Sequence, residues 1–159
     1  MTITILCVGK IKERYLADAV SEYVKRISRH AKVEIIEVRD EPTKEEPSER
    51  EREQIVTVEG ERLLARMKKQ DFVTALVIGG TKLDSEGFAG LLERQMNRGA
   101  SRICFVIGGS LGLSREVQER AKLCLSFSDM TFPHQLMRVI LLEQIYRGFK
   151  IIRHEPYHK

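Results

Sequence analysis

Residues 72–109 read FVTALVIGGTKLDSEGFAGLLERQMNRGASRICFVIGG, and this stretch decides the fold. Phe72–Ile78 and Ile103–Ile107 are short continuous apolar runs, as strands buried on both faces require. Between them the spacing predicts a helix that starts at Asp84, places Phe88, Leu91, Leu92, Gln95 and Met96 along one face, and stops at Gly99. Strand, helix and strand with 24 intervening residues describe a parallel pair joined by a crossover.

Working outward, Thr2–Gly9 (TITILCVG) is rich in β-branched residues and ends at glycine, so it reads as a strand. Leu16, Ala19, Val20, Tyr23, Val24 and Ile27 give an amphipathic helix over 12–29, and Val33–Val38 a second strand. Asp40–Pro47 is an acidic loop with two prolines. Ser48 and Glu51 then form a capping box for a helix running to about Lys69. A short helix from Ser114, a strand at Leu123–Phe127 and a helix over 134–150, opening after Pro133, complete the chain. The order βαβαβαβαβα predicts an α/β fold, a mainly parallel sheet flanked by helices, in a single domain of residues 1–159.

Composition narrows the class. The chain is 31% charged and 42% hydrophobic, too apolar for a disordered protein. Runs such as Ala75–Ile78 and Val139–Leu142 fall far short of the ~18 residues a membrane span needs. Met1–Gly9 lacks a secretory signal. Cys7, Cys104 and Cys124 sit inside apolar runs without C-x-x-C spacing, as reduced buried cysteines do. These features predict a soluble, intracellular, cytoplasmic protein. Net charge is +4, yet residues 34–53 hold nine acids and four bases, a local −5, so the remaining 139 residues carry +9. A basic body with one acidic segment suits either a polyanionic partner or a merely solvated surface.

Val77-Ile78-Gly79-Gly80-Thr81 recurs 29 residues later as Val106-Ile107-Gly108-Gly109-Ser110. Each copy is expected to end a buried strand. Either two strand-to-helix turns share a glycine geometry, or a ligand approaches bare backbone at the carboxyl ends of adjacent parallel strands. Familiar nucleotide motifs are absent. Ser110 and Leu111 spoil a G-x-G-x-x-G reading, and Thr4 and Ile11 spoil a Walker A around Gly9-Lys10. His154-Glu155-Pro156-Tyr157-His158 formally matches H-E-x-x-H, but Pro156 breaks the helix that zinc chemistry needs, so no metal is expected.

Arg138 lies on the same helical stripe as Leu142, Ile145 and Phe149. It either snorkels out past the helix end or directs its guanidinium into a site or subunit interface, where it could hold phosphate. Leu136, Met137, Val139, Ile140 and Leu141 make this helix apolar over more than one face, which predicts a dimer interface.

Ile107–Leu113 (IGGSLGL), Leu125–His134 (LSFSDMTFPH), Leu136–Arg138 and the terminal Pro156-Tyr157-His158 together resemble the ribosomal RNA large subunit methyltransferase H family. These are pseudouridine N3-methyltransferases of the SPOUT, or α/β-knot, superfamily, and the resemblance spans the whole chain. It implies a C-terminal trefoil knot, a homodimer, and S-adenosylmethionine as methyl donor. It implies donor contacts at Leu76, Gly108, Phe127, Ser128, Asp129, Met130, Thr131 and Phe132. It places His134, Arg138, Tyr157 and His158 on the acceptor side, with Tyr157 or His158 acting near N3, Arg138 and Arg147 handling phosphate or charge, and the tail completing the partner's pocket. The implied substrate is a pseudouridine of 23S rRNA; because the chain has no RRM or KH signature, recognition by charge and shape of an assembled ribosome is expected, with free rRNA a poor substrate. Phe127, Asp129, Phe132, Glu155 and Lys159 depart from the family's usual residues. Two readings of other classes compete: a non-catalytic ribosome- or RNA-binding factor, and a flavodoxin-like enzyme binding phosphate or flavin at the same strand ends.

Overall fold

The computed structural model describes all 159 residues. Ten elements alternate as expected: β1 (Thr2–Val8), α1 (Arg14–Ile27), β2 (Lys32–Val38), α2 (Glu49–Leu64), β3 (Phe72–Lys82), α3 (Ser85–Asn97), β4 (Arg102–Ile107), α4 (Arg115–Arg120), β5 (Leu123–Ser126) and α5 (His134–Ile152). The five strands form one sheet in the order β2-β1-β4-β3-β5, and every pairing is parallel.

The continuous apolar strands have their physical reason in a three-layer arrangement. Successive side chains of a strand point to opposite faces. Ile3, Ile5 and Cys7 of β1 therefore join Ile103, Phe105 and the apolar faces of α1, α3 and α5 in one core. Leu6 and Val8 join Cys104, Val106 and the residues of α2 and α4 in the other. Both faces of β1 and β4 are covered, so neither strand can afford polar alternation.

Local signals place most boundaries. Ser48, Asp84 and Ser114 are N-caps whose side chains accept the N–H groups of Glu51, Gly87 and Val117. Helix α2 stops at Leu64, short of Lys69, because Asp71 captures the Lys68 N–H at 2.8 Å and Arg102 donates to the Arg66 carbonyl. Ala65, Arg66 and Met67 still donate to the Glu61, Leu63 and Leu64 carbonyls, and from Lys68 the chain bonds to its own turn and to the sheet.

The repeated glycine motif needs a correction. The second copy does end β4, but β3 runs on through Gly79 and Gly80 to Lys82. Leu76 and Thr81 both pair with Leu125, so residues 77–80 bulge out of the ladder before Lys82 pairs with Ser126. Gly80 permits this: a Cβ there would lie 2.6 Å from the Cys124 carbonyl oxygen. Thr81 and Lys82 find a partner strand in β5, whereas Ser110 has none.

Helix α5 packs against both α1 and α3, although β5, which precedes it, is an edge strand. Gly148 allows the close approach to α3, since a Cβ there would lie 2.8 Å from Leu92 Cδ1. Residues 127–133 therefore carry the chain from the sheet edge back toward its centre.

Candidate active site

A cavity of about 590 Å³ opens at the carboxyl ends of β3, β4 and β5. Three segments build it: Leu76–Ile78 before the β3 bulge, the turn Ile107–Leu113 after β4, and Leu125–Phe132 leading out of β5. His134 and Met137 of α5 close one side. This is where an open parallel sheet offers a ligand site.

The turn after β4 is shaped by its glycines. A Cβ at Gly108 would lie 2.6 Å from the Gly112 carbonyl oxygen, and Gly112 sits at φ +85° with its N–H bonded to the Gly109 carbonyl. The backbone is consequently bare toward the cavity. Of the residues that the resemblance assigns to donor contact, Leu76, Gly108, Phe127, Ser128, Met130, Thr131 and Phe132 line the cavity. Asp129 does not; its carboxylate is bonded to Lys82 Nζ at 2.6 Å.

Two residues of α2 complete the surroundings and escaped the sequence reading. Arg52 reaches the cavity wall. Glu59, only 4% exposed, lies behind the glycine turn: a Cβ at Gly109 would be 3.3 Å from its carboxylate, which also accepts the Glu41 N–H at 3.0 Å. Burial pushes the Glu59 carboxyl above its ordinary range. The available signal was an acid one turn before the apolar Leu63, on the side of α2 that a helix buries.

His134 is the first residue of α5 and is half-buried at the cavity. Burial lowers its pKa, and the nearby Arg138 guanidinium lowers it further, so the ring is neutral at pH 7. Arg138 itself does not snorkel and does not line the cavity. It is 1% exposed, donating from Nη1 to Glu37 at 2.7 Å and from Nη2 to the Gly9 and Val8 carbonyls at 2.7 and 3.2 Å. The apolar stripe of Leu142, Ile145 and Phe149 turns it inward. There the carbonyls at the end of β1 lack ladder partners and Glu37 balances the charge.

The tail residues gather at the other end of α5. Glu143 accepts from Arg147 Nη2 at 2.7 Å and from the Tyr157 hydroxyl at 3.0 Å. The Arg147 guanidinium stacks over the Tyr157 ring, and its Nη1 lies 3.2 Å from His158 Nδ1. Burial, reinforced by the hydrogen bond to Glu143, raises the Tyr157 pKa to about 12, so its hydroxyl stays protonated. At 1.5 Å per residue, Arg147 stands ~20 Å along the helix from His134. Within the chain, His134 is therefore well separated from Tyr157 and His158.

The family model described as "Predicted SPOUT methyltransferase" matches residues 1–158. The chain belongs to the SPOUT methyltransferase family. This methyltransferase is 57% identical over the full length of both chains to the "Ribosomal RNA large subunit methyltransferase H" of Carboxydothermus hydrogenoformans. It is 58% identical, again over both full lengths, to the protein of the same name from Bifidobacterium animalis subsp. lactis. The solved tRNA (m1G37) methyltransferase of Aquifex aeolicus aligns with a TM-score of 0.52 at 14% identity, covering 92% of this chain and 70% of that one. That likeness concerns the fold, and the expected α/β-knot architecture is the one found.

SPOUT methyltransferases use S-adenosylmethionine, and the cavity fits such a group. Its volume falls within the usual range for small-molecule sites. Leu76, Ile107, Leu125 and Met137 give an apolar lining for a flat base, and Gly108 and Gly109 leave main-chain groups open to its polar edges.

Proposed function

We propose that this methyltransferase moves a methyl group from S-adenosylmethionine to N3 of a pseudouridine in large-subunit ribosomal RNA, working in the cytoplasm as a homodimer on the assembled ribosome. The observation that carries the reading is the cavity walled by the bare Gly108–Gly112 turn with His134 at its side. The names of the full-length relatives and the basic body outside residues 34–53 support an rRNA substrate.

S-adenosylmethionine would supply an electrophilic methyl group on a sulfonium, held by the backbone of Leu76 and Gly108 and by Phe127, Ser128, Met130, Thr131 and Phe132, with Asp129 tying that loop to Lys82. The acceptor nitrogen carries a proton that must leave as its bond to carbon forms. Neutral His134 takes that proton, a role that typically contributes 10²- to 10⁴-fold. Arg138 works from one turn behind, keeping His134 deprotonated and tying α5 to the ends of β1 and β2. Tyr157, whose O–H is committed to Glu143, orients the acceptor base by accepting a hydrogen bond on its hydroxyl oxygen. Arg147 and His158 meet its charge. Alignment of the two reactants supplies most of the remaining acceleration.

The tail serves the partner's cavity. Leu136 and Ile140 lie on α5 half-buried and pack into neither core, which leaves them for a two-fold contact along the helix. Such a contact brings the tail of one copy to the cavity of the other. Deleting residues 156–159 is expected to leave S-adenosylmethionine binding intact by calorimetry and to abolish ribosome methylation; an active truncated enzyme overturns the assignment. Mixing the truncated chain with a His134→Ala chain should restore activity well above that of either alone. A non-catalytic ribosome-binding factor would give no heat with the donor.

A further inference from the structure

Three large apolar side chains stand out as strongly exposed: Met130 at 72%, Tyr15 at 70% and Ile78 at 49%. Met130 and Ile78 border the cavity. Tyr15 does not, yet it belongs to the same end of the molecule. The segment Lys10-Ile11-Lys12-Glu13-Arg14-Tyr15 follows the carboxyl end of β1, and the Lys12 N–H donates to Gln135 Oε1 at 3.0 Å, next to His134. The Lys12 charge contributes to lowering the His134 pKa, which places it in the same electrostatic neighbourhood.

The chemistry of this segment is that of an RNA contact. Lys10, Lys12 and Arg14 are exposed, and the one ion pair among them, Arg14 to Asp18, is 4.0 Å long with both side chains almost fully in water. Such a pair is worth little and leaves the guanidinium available. An exposed ring set among cations is the arrangement by which proteins hold unpaired nucleotides, the ring stacking on a base and the cations meeting phosphates. The Lys12–Gln135 bond fixes the segment to the first turn of α5, so a nucleotide stacked on Tyr15 would lie beside the acceptor position. The acidic residues of 34–53 do not supply a competing partner to these cations.

We propose that Tyr15, with Lys10, Lys12 and Arg14, forms a stacking lip that grips a nucleotide flanking the methylated base. This rests on the rRNA reading of the cavity and adds a specificity-determining residue to it. Tyr15 is a positioning residue: it holds the RNA, and the reacting atoms lie at the cavity.

The experiment measures ribosome binding without donor, S-adenosylmethionine affinity, and methylation for wild type, Tyr15→Ala, Tyr15→Leu, Tyr15→Trp and the pair Lys10→Ala/Lys12→Ala. Loss of one stacked base is expected to weaken ribosome affinity about tenfold or more in Tyr15→Ala and Tyr15→Leu, raising KM with kcat nearly unchanged, while Tyr15→Trp restores it. The lysine pair should reduce the salt dependence of binding, which Tyr15→Ala should not. Donor affinity should be the same in all. Unchanged ribosome binding in Tyr15→Ala overturns the lip, as does failure of Tyr15→Trp to rescue, or conversion of Tyr15→Ala to a monomer, which would make Tyr15 a subunit contact. Should wild type bind ribosomes in a Tyr15-dependent way without methylating them, the lip stands and the assigned reaction falls.

Discussion

Arg138 shows how a single buried charge can serve two ends. Its guanidinium is matched by Glu37 and by two carbonyls at the end of β1, so removing it strands Glu37 and the strand end together. Arg138→Ala is expected to cost about 3 kcal/mol or more in chemical denaturation, the usual consequence of breaking a buried pair on one side. The same arginine adds to burial in lowering the proton affinity of His134. Because His134 binds its proton less readily in the folded chain than in the unfolded one, the unfolded state gains protons first as pH falls. This group's contribution to stability is therefore complete above the ordinary histidine pKa of about 6.5 and declines below it. Methylation should follow the same sign. The rate of wild type is expected to hold through neutral pH and to fall only below the ordinary histidine range, because burial and Arg138 hold the His134 proton affinity down. Arg138→Gln, if folded, should move that fall to higher pH. His134→Ala should lose about 10²-fold or more at neutral pH, together with the acid limb itself. An unaltered pH profile in Arg138→Gln would show that the arginine does not govern His134.

At the scale of elements, the two glycine pairs look alike in sequence and work differently. Gly79 has open space where a side chain would go, while Gly108 abuts the Gly112 carbonyl. Gly79→Ala should therefore be tolerated within about 1 kcal/mol, and Gly108→Ala should distort the turn at a cost of about 1–3 kcal/mol and weaken S-adenosylmethionine binding in calorimetry. Equal donor affinities in the two variants would mean that the turn does not hold the donor. The difference between the copies was not legible from the motif, because it depends on which strand lies alongside. Thr81 meets β5 more than forty residues later in the chain, and no local pattern announces that pairing. What the motif did reveal was the place: both copies contribute to one cavity, through Val77 and Ile78 in one case and through Gly108 and Gly109 in the other. Helix starts were legible for the opposite reason. A cap such as Ser48 or Asp84 bonds three residues ahead, so the evidence for it lies within one turn.

For the molecule as a whole, the alternation of apolar runs and amphipathic stretches was enough to give a parallel sheet between two helical layers. The direction of Arg138 and the place of Glu59 were not accessible that way, since each is decided by a neighbour distant in sequence: Glu37 lies 101 residues from Arg138, and Gly109 comes fifty positions after Glu59. The same separation divides the candidate acceptor residues. His134 and Tyr157 lie near in sequence, but a rigid helix holds them apart, so the proposed site draws them from two copies of the chain.

The central seam of the sheet joins β1 to β4, the first strand to one that begins at Arg102. During synthesis the opening strand must therefore wait, flanked only by β2, until some two thirds of the polypeptide has left the ribosome tunnel. Nascent chains arrested before Arg102 should remain sensitive to protease, and those that include α5 should become resistant. An enzyme proposed to modify ribosomes would thus spend most of its own translation without the interior that makes it one.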